Sequence, residues 1–243
     1  MNKMQVKITY LYHSSFLLEI DQNLLLFDYT SRDLSENKVQ EILKDKIVRK
    51  NLYVFVSHAH GDHFDPSITE FSKYADKVNY VISHDVFESN PFLEFGPRLT
   101  KALPGSEYNL DDMKVKTFQS NDEGVAFLIR YNDTTIYFGG DLAKWDWPEW
   151  SENKRKEHVK IFEDVLEKLT KIDIDIAFSN MDKRLESWAG PVDFIEKVRP
   201  RYFVPIHTFG NEEWIEDLLQ TEVTNLTTIF DYEKIGDEFI VDL

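Results

Sequence analysis

The run Leu52-Tyr-Val-Phe-Val-Ser57 leads directly into His58-Ala-His60-Gly-Asp62-His63, and the rest of the chain can be interpreted outward from these twelve residues. A short apolar run bounded by a turn reads as a buried strand. Its end therefore delivers four potential metal donors, His58, His60, Asp62 and His63, to one edge of a sheet. Imidazole nitrogens and carboxylate oxygens suit zinc, and also iron or manganese. In an extended segment His58 and His60 point to the same side, while Asp62 and His63 sit in the turn beyond and address a second ion. The spacing suggests two metal positions rather than one.

Three further stretches fall in an order that matters. Tyr12-His13-Ser14-Ser15-Phe16 precedes a second apolar run, Leu24-Leu-Leu-Phe-Asp28; Ile136-Tyr-Phe-Gly-Gly-Asp141 and Tyr202-Phe-Val-Pro-Ile-His207 follow later. With H-x-H-x-D-H after a buried strand, the chain resembles the metallo-β-lactamase-fold hydrolases, and its opening is similar to the branch that includes ascorbate-6-phosphate lactonase-like proteins. The resemblance implies an α/β (α+β) fold of four layers, an αββα sandwich, with residues 1–243 as one domain. It implies that His58 and His60 hold a first metal, that Asp62, His63 and His207 hold a second, and that Asp141 bridges them. One or two divalent ions are expected, zinc first, with manganese or iron as alternatives. Two such ions lower the pKa of a water towards neutrality, giving a metal-bound hydroxide as nucleophile. Asp62 is the candidate catalytic residue that orients it and moves a proton. The implied activity is hydrolysis of a small ester, lactone, amide or phosphoester. The alternatives are a phosphodiesterase acting on RNA or a cyclic nucleotide, and a non-catalytic metal-binding protein of the same fold.

The chain departs from the family pattern at Thr117-Phe-Gln-Ser-Asn-Asp-Glu-Gly124, where a further His is usual and none stands. Gln119, Ser120, Asn121, Asp122 and Glu123 are possible oxygen donors there, and His84 is the spare imidazole. His13 and Asp28, at the ends of their strands, are read as residues that orient ligands. Lys183, Arg184 and Trp145 are the candidate substrate contacts: cations clamp phosphate or carboxylate, and the indole follows Asp141 closely. His158 reads as solvent-facing and without function.

Composition narrows the setting. Hydrophobic residues make up 42% of 243, enough for a sizeable core. A formal net charge of -16 opposes nucleic-acid binding, which depends on neutralising phosphates with Lys and Arg; a small-molecule substrate is expected and nucleic acid is not. The basic stretch Lys44-Asp-Lys46-Ile-Val-Arg49-Lys50 interleaves with acid and reads as solvated surface. Absence of cysteine is compatible with a reducing cytoplasm, no apolar run reaches a membrane span, and the N-terminus lacks a signal-peptide pattern, so a cytoplasmic protein is expected.

Along the chain, strands are expected at 5–11, 14–20, 23–28, 52–57, 78–82, 99–103, 113–118, 124–131, 134–138, 172–178, 202–206, 227–231 and 238–242. Helices are expected at 33–47, 66–75, 152–170, 191–198 and 211–220, with 84–98, which holds Pro91 and Pro97, as an irregular loop.

Overall fold

The computed structural model describes residues 4–30 and 36–243, and divides them between two compact units, 1–103 with 232–243 and 104–231. The first unit is built on one sheet. Its strands are β1 (Gln5–Tyr12), β2 (Ser15–Ile20), β3 (Asn23–Phe27), β4 (Asn51–Val56), β5 (Lys77–Ser83), β6 (Leu99–Ala102) and, from the far end of the chain, β14 (Glu238–Asp242). Their spatial order is β14-β1-β2-β3-β4-β5-β6. Neighbours from β14 to β3 run antiparallel, and those from β3 to β6 parallel.

β4 lies inside this sheet, which is why its apolar run is continuous rather than alternating. Leu52, Val54 and Val56 pack with Leu24 and Leu26 of β3 and with Val39, Leu43 and Ile47 of α1 (Glu36–Ile47). The part of the expected helix at 33–35 lies outside the described residues. After the histidine motif, Asp65 accepts a hydrogen bond from Ser67 N at 2.7 Å, and Pro66 follows at the first helical position of a short 3₁₀ turn, Pro66–Lys73. The segment expected to be irregular opens instead as α2 (His84–Ser89), which continues directly from β5 and buries Val86. Its six residues, cut off before Pro91, are too short to show a helical period.

The second unit holds β7 (Glu107–Leu110), β8 (Met113–Gln119), β9 (Val125–Tyr131), β10 (Thr134–Phe138), β11 (Ile176–Asn180), β12 (Tyr202–Ile206) and β13 (Thr228–Ile229), in the order β13-β12-β11-β10-β9-β8-β7. β7 to β10 form an antiparallel meander, while β10 to β13 are parallel. Helix α3 (Glu152–Leu169) connects β10 to β11 and buries Phe162, Val165, Leu166 and Leu169, the stripe its 3.6-residue period requires. Helix α4 (Pro191–Val198) connects β11 to β12, and α5 (Trp214–Leu219) follows β12. Gly190 precedes α4 at φ 95°, where a Cβ would lie 2.8 Å from Lys144 Cβ, so the turn that docks α4 requires glycine. The mixed α/β class agrees with the sequence expectation. No helix among the described residues is long and apolar enough to cross a membrane.

Candidate metal centre

Both sheets gather polar residues by the same device. In open parallel sheets the carboxyl ends of the strands form the crevice where ligands bind. In the first unit, β3 and β4 run parallel with Phe27 opposite Phe55, so Asp28 and Ser57 emerge side by side. Asp28 N donates to Phe55 O at 3.0 Å and fixes the pair. β1 runs the same way as β3, which brings the β1–β2 turn with His13 to the same edge.

Asp28 is fully buried and organises this half of the site. Its carboxylate accepts from Ser57 N at 2.7 Å, from Ser57 Oγ at 2.6 Å and from His63 Nδ1 at 2.7 Å. Because Ser57 Oγ donates to Asp28, it accepts at 2.9 Å from His58 Nδ1. This network assigns the protons of His58 and His63 to Nδ1 and leaves both Nε2 atoms as acceptors, the form in which an imidazole can ligate a metal. Burial pushes the Asp28 carboxyl up, against the opposing effect of His63 and Ser57. His58 Nε2 and His60 Nδ1 are 3.0 Å apart. Two nitrogens bound at about 2.0–2.1 Å to a tetrahedral ion sit roughly 3.3 Å apart, so this pair suits a divalent cation. Asp28, His58 and His63 can each offer an atom within 4.8 Å of the others. His13 is fully buried, with its ring 5.2 Å from that of His63 and its Nε2 3.6 Å from Asp62 Oδ2.

One anchor here has no signal in the local sequence. Asp85, in the first turn of α2, accepts from Ala59 N at 2.7 Å, between the two histidines of the motif. The parallel register of β4 and β5 brings it there, with Val56 opposite Ile82. His84 beside it belongs to no group of three possible metal donors among the described residues.

In the second unit the ends of β8, β10, β11 and β12 all point one way. They present Asp122, Asp141, Asp182 and His207. The turn after β10 needs its glycines: Gly139 N donates to Phe178 O at 2.9 Å, and a Cβ there would lie 3.2 Å from that oxygen. Asp141 and Asp122 each present a carboxylate oxygen, the two within 4.8 Å of one another. Two carboxylates this close repel unless a cation lies between them, which is the fit expected of a metal position. His207 occupies the left-handed region at φ 67°, uncommon for a residue with a side chain and frequent at functional sites. Its Nε2 lies 3.5 Å from Asp141 Oδ2 and its Nδ1 3.4 Å from Asp182 Oδ2. Asp182 is fully buried and faces His207 Nδ1 as Asp28 faces His63, at 3.4 Å against 2.7 Å.

Of the five possible donors at 119–123, two are engaged elsewhere. Asn121 donates to Ala143 O and His158 O at 2.7 and 2.8 Å and accepts from Ala143 N at 3.2 Å; Ser120 Oγ accepts from Asp122 N at 3.1 Å. Asp122 lines a cleft of about 160 Å³ with Asp141, His207, Arg184 and three tryptophans. Trp145 is buried, donates from Nε1 to Asp141 O at 2.8 Å, and stacks on Trp147 with ring centres 6.1 Å apart. Lys183 turns away to pair with Asp217 and is not among the cleft's lining residues. His158 is half-buried rather than solvent-facing, with its ring 4.5 Å from that of Trp150, because Trp150 folds back onto α3. Burial and Lys154 hold its pKa below the ordinary value.

The electrostatics of His207 give a test of the metal-free protein. Burial pushes its imidazole down, but Asp141 and Asp182 outweigh that and raise its pKa to about 9. Asp182 is likewise pushed up by burial, but Arg184 and His207 outweigh it and draw it down to about 2. A cation with a raised folded-state pKa contributes stability that is fully present below the unfolded value near 6.5 and is lost as pH rises to about 9. The melting temperature of chelated protein is therefore expected to fall between these limits, by an equivalent of about 3 kcal/mol at most. The His207→Asn variant lacks that slope. Equal slopes in the two proteins would count against the assignment.

The comparisons agree with this architecture. Residues 7–162 match the model of the Beta-lactamase superfamily domain. A protein of Desulforamulus reducens named UPF0173 metal-dependent hydrolase is 31% identical over 156 residues, 57% of this chain and 63% of that protein, so the match spans less than two-thirds of that relative's length. A like-named protein of Opitutus terrae is 25% identical over 223 residues, 85% of this chain and 86% of the relative. Among solved structures, Igni18, a metallo hydrolase from Ignicoccus hospitalis, superposes with a TM-score of 0.69 at 18% identity, covering 98% of this chain and 99% of that one. This last likeness shows the fold, and the matched family model, which takes in the histidine motif and Asp141, shows the family: the chain belongs to the Beta-lactamase superfamily domain family.

Proposed function

We propose that this protein is a metal-dependent hydrolase acting on a small ester, lactone, amide or phosphoester, with residues 1–243 as one functional domain. The donors in this reading are His58, His60, Asp62 and His63 from the first unit and Asp141 and His207 from the second. Asp122 takes the place of the absent imidazole. The observation that carries the reading is the repeated pairing of a ligand histidine with a buried carboxylate, His63 with Asp28 and His207 with Asp182. Such partners fix tautomer and ring orientation at metal sites. The names of the relatives, metal-dependent hydrolases, support the coarser part of this reading.

A divalent pair, zinc in this reading, supplies when bound an activated water and polarises the substrate oxygen. The chain's own groups do the rest. Asp62, about a third exposed and 3.6 Å from His13 Nε2, is in this reading the group that holds the attacking water and carries its proton to the leaving group. Asp28 and Ser57 keep His58 and His63 in the ligand tautomer. Trp145 braces the turn of Asp141 through its carbonyl.

The test is elemental analysis of purified protein together with turnover of a panel of aryl esters, lactones and phosphodiesters after addition of zinc, manganese or iron. Two ions per chain and turnover are expected. Asp122→Ala should lose one ion about tenfold or more ahead of the other on mild chelation, and Asp122→His should restore it. Protein that holds no transition metal and turns over nothing would end this reading. One tight ion without turnover would favour the non-catalytic alternative.

A further inference from the structure

Asp141 and His207 share their cleft with Arg184 and with the indoles of Trp145, Trp147 and Trp150. Arg184 is unusually well fixed for a half-exposed arginine. Its Nε donates to Asp182 Oδ1 and Oδ2 at 2.8 and 3.0 Å, its Nη2 donates to Oδ2, and its backbone N donates to Oδ1 at 3.0 Å. The rings of Trp147 and Phe209 lie 5.3 and 4.7 Å from the guanidinium carbon. Asp182 cannot shift to follow a ligand, because it is fully buried and also faces His207 Nδ1. The cation is therefore preorganised and loses little rotamer freedom when it meets an anion.

A guanidinium is a planar fork of five N–H donors, and the pair with Asp182 engages its Nε and Nη2 edge. Half of the Arg184 side chain stays exposed. Beside it Trp147 is half-buried and stacked on Trp145 with an angle of 12° between the ring planes, so its orientation is set. Its indole is a flat apolar wall for another ring. The cleft, about 160 Å³, is smaller than the roughly 300–1,000 Å³ of sites for drug-sized ligands. Within it there is room for one charged group and one ring.

We propose that the substrate of this site carries an oxyanion, a carboxylate or a phosphate, attached to a flat ring, with the oxyanion held by Arg184 and the ring lying on Trp147. That the ligand is a substrate rests on the metallohydrolase reading; that it is an aryl oxyanion rests on Arg184 and Trp147 alone. In a chain of net charge -16, a fixed arginine is what lets such an anion settle beside Asp141.

The test uses the full chain loaded with zinc and three probes, benzoate, phenyl phosphate and the neutral benzamide, titrated by tryptophan fluorescence and calorimetry. Zinc content is measured in every variant, so that loss of metal is not mistaken for loss of the arginine. The preference for benzoate or phenyl phosphate over benzamide is expected to fall about tenfold or more in Arg184→Gln, with benzamide affinity little changed. Arg184→Lys, which keeps the charge without the fork, is expected to lose at least about threefold of that preference. Whichever of the two anions binds more tightly to the parent identifies the oxyanion. Benzoate and benzamide binding alike in the parent, or an unchanged preference in Arg184→Gln, overturns the proposal. If that variant fails to fold, an unchanged preference in Arg184→Lys overturns it equally. Absence of turnover would sink the metallohydrolase reading and leave the anion preference standing, so the two failures are distinguishable.

Discussion

Asp141→Ala is expected to lower kcat/KM on any substrate of the panel by about a thousandfold or more and to strip both metal positions, while the protein remains folded. The magnitude follows from position. A partner that merely orients a ligand typically accounts for 10- to 100-fold, and Asp141 is proposed as a donor to both ions. The fold should survive because the turn does not depend on the carboxylate: Trp145 holds the Asp141 carbonyl and Gly139 ties the strand end to Phe178. In metal-free protein, removing Asp141 relieves repulsion with Asp122 and gives up its attraction for His207, two effects that oppose one another. Elemental analysis, turnover and a thermal melt are the measurements. If metal content and turnover survive in a folded variant, Asp141 is not a ligand.

Asp28→Ala should instead damage the fold as well as the site. Three donors, Ser57 N, Ser57 Oγ and His63 Nδ1, lose their acceptor in a fully buried place. Leaving such groups without partners costs about 3–5 kcal/mol. Metal affinity should fall about 10- to 100-fold through the loosened His58 and His63 rings. Asp28→Asn should cost less, since its carbonyl still accepts one bond and asparagine tolerates the left-handed backbone at φ 41° better than alanine. Denaturant unfolding and metal competition read the two effects separately. Equal loss for both variants would show that the acceptor count does not govern this position.

What the sequence disclosed depends on where the physical signal lies. β4, β10 and β12 are buried strands, so their apolar runs are continuous and their ends are sharp; His58, Asp141 and His207 were legible for that reason. The order of the motifs, not periodicity, supplied the fold family. β7 escaped notice because its four residues are too few for the alternation of Tyr108 and Leu110 to register, and none of them is buried. The carboxylates Asp85 and Asp182 were missed for a different reason. Each takes its role from strands brought into register across the sheet, a relation that no local window contains. Asp122 is one of five polar candidates in the sequence, and only its place beside Asp141 sets it apart. The return of β14 to pair with β1 is a contact across nearly the whole chain and likewise leaves no local trace.

The side chain of Asn121 closes on both polar groups of the Ala143 peptide and on the carbonyl of His158 in α3. Two turns far apart in the chain, one carrying Asp122 and the other Asp141, are thereby made a single cooperative unit with the first part of that helix. A fluctuation that frees one turn must break the bonds that hold the other, so local opening of either involves both. When the surrounding loops breathe, the two turns move together, so the backbone positions from which Asp122 and Asp141 project are tied through Asn121 rather than through a bound cation.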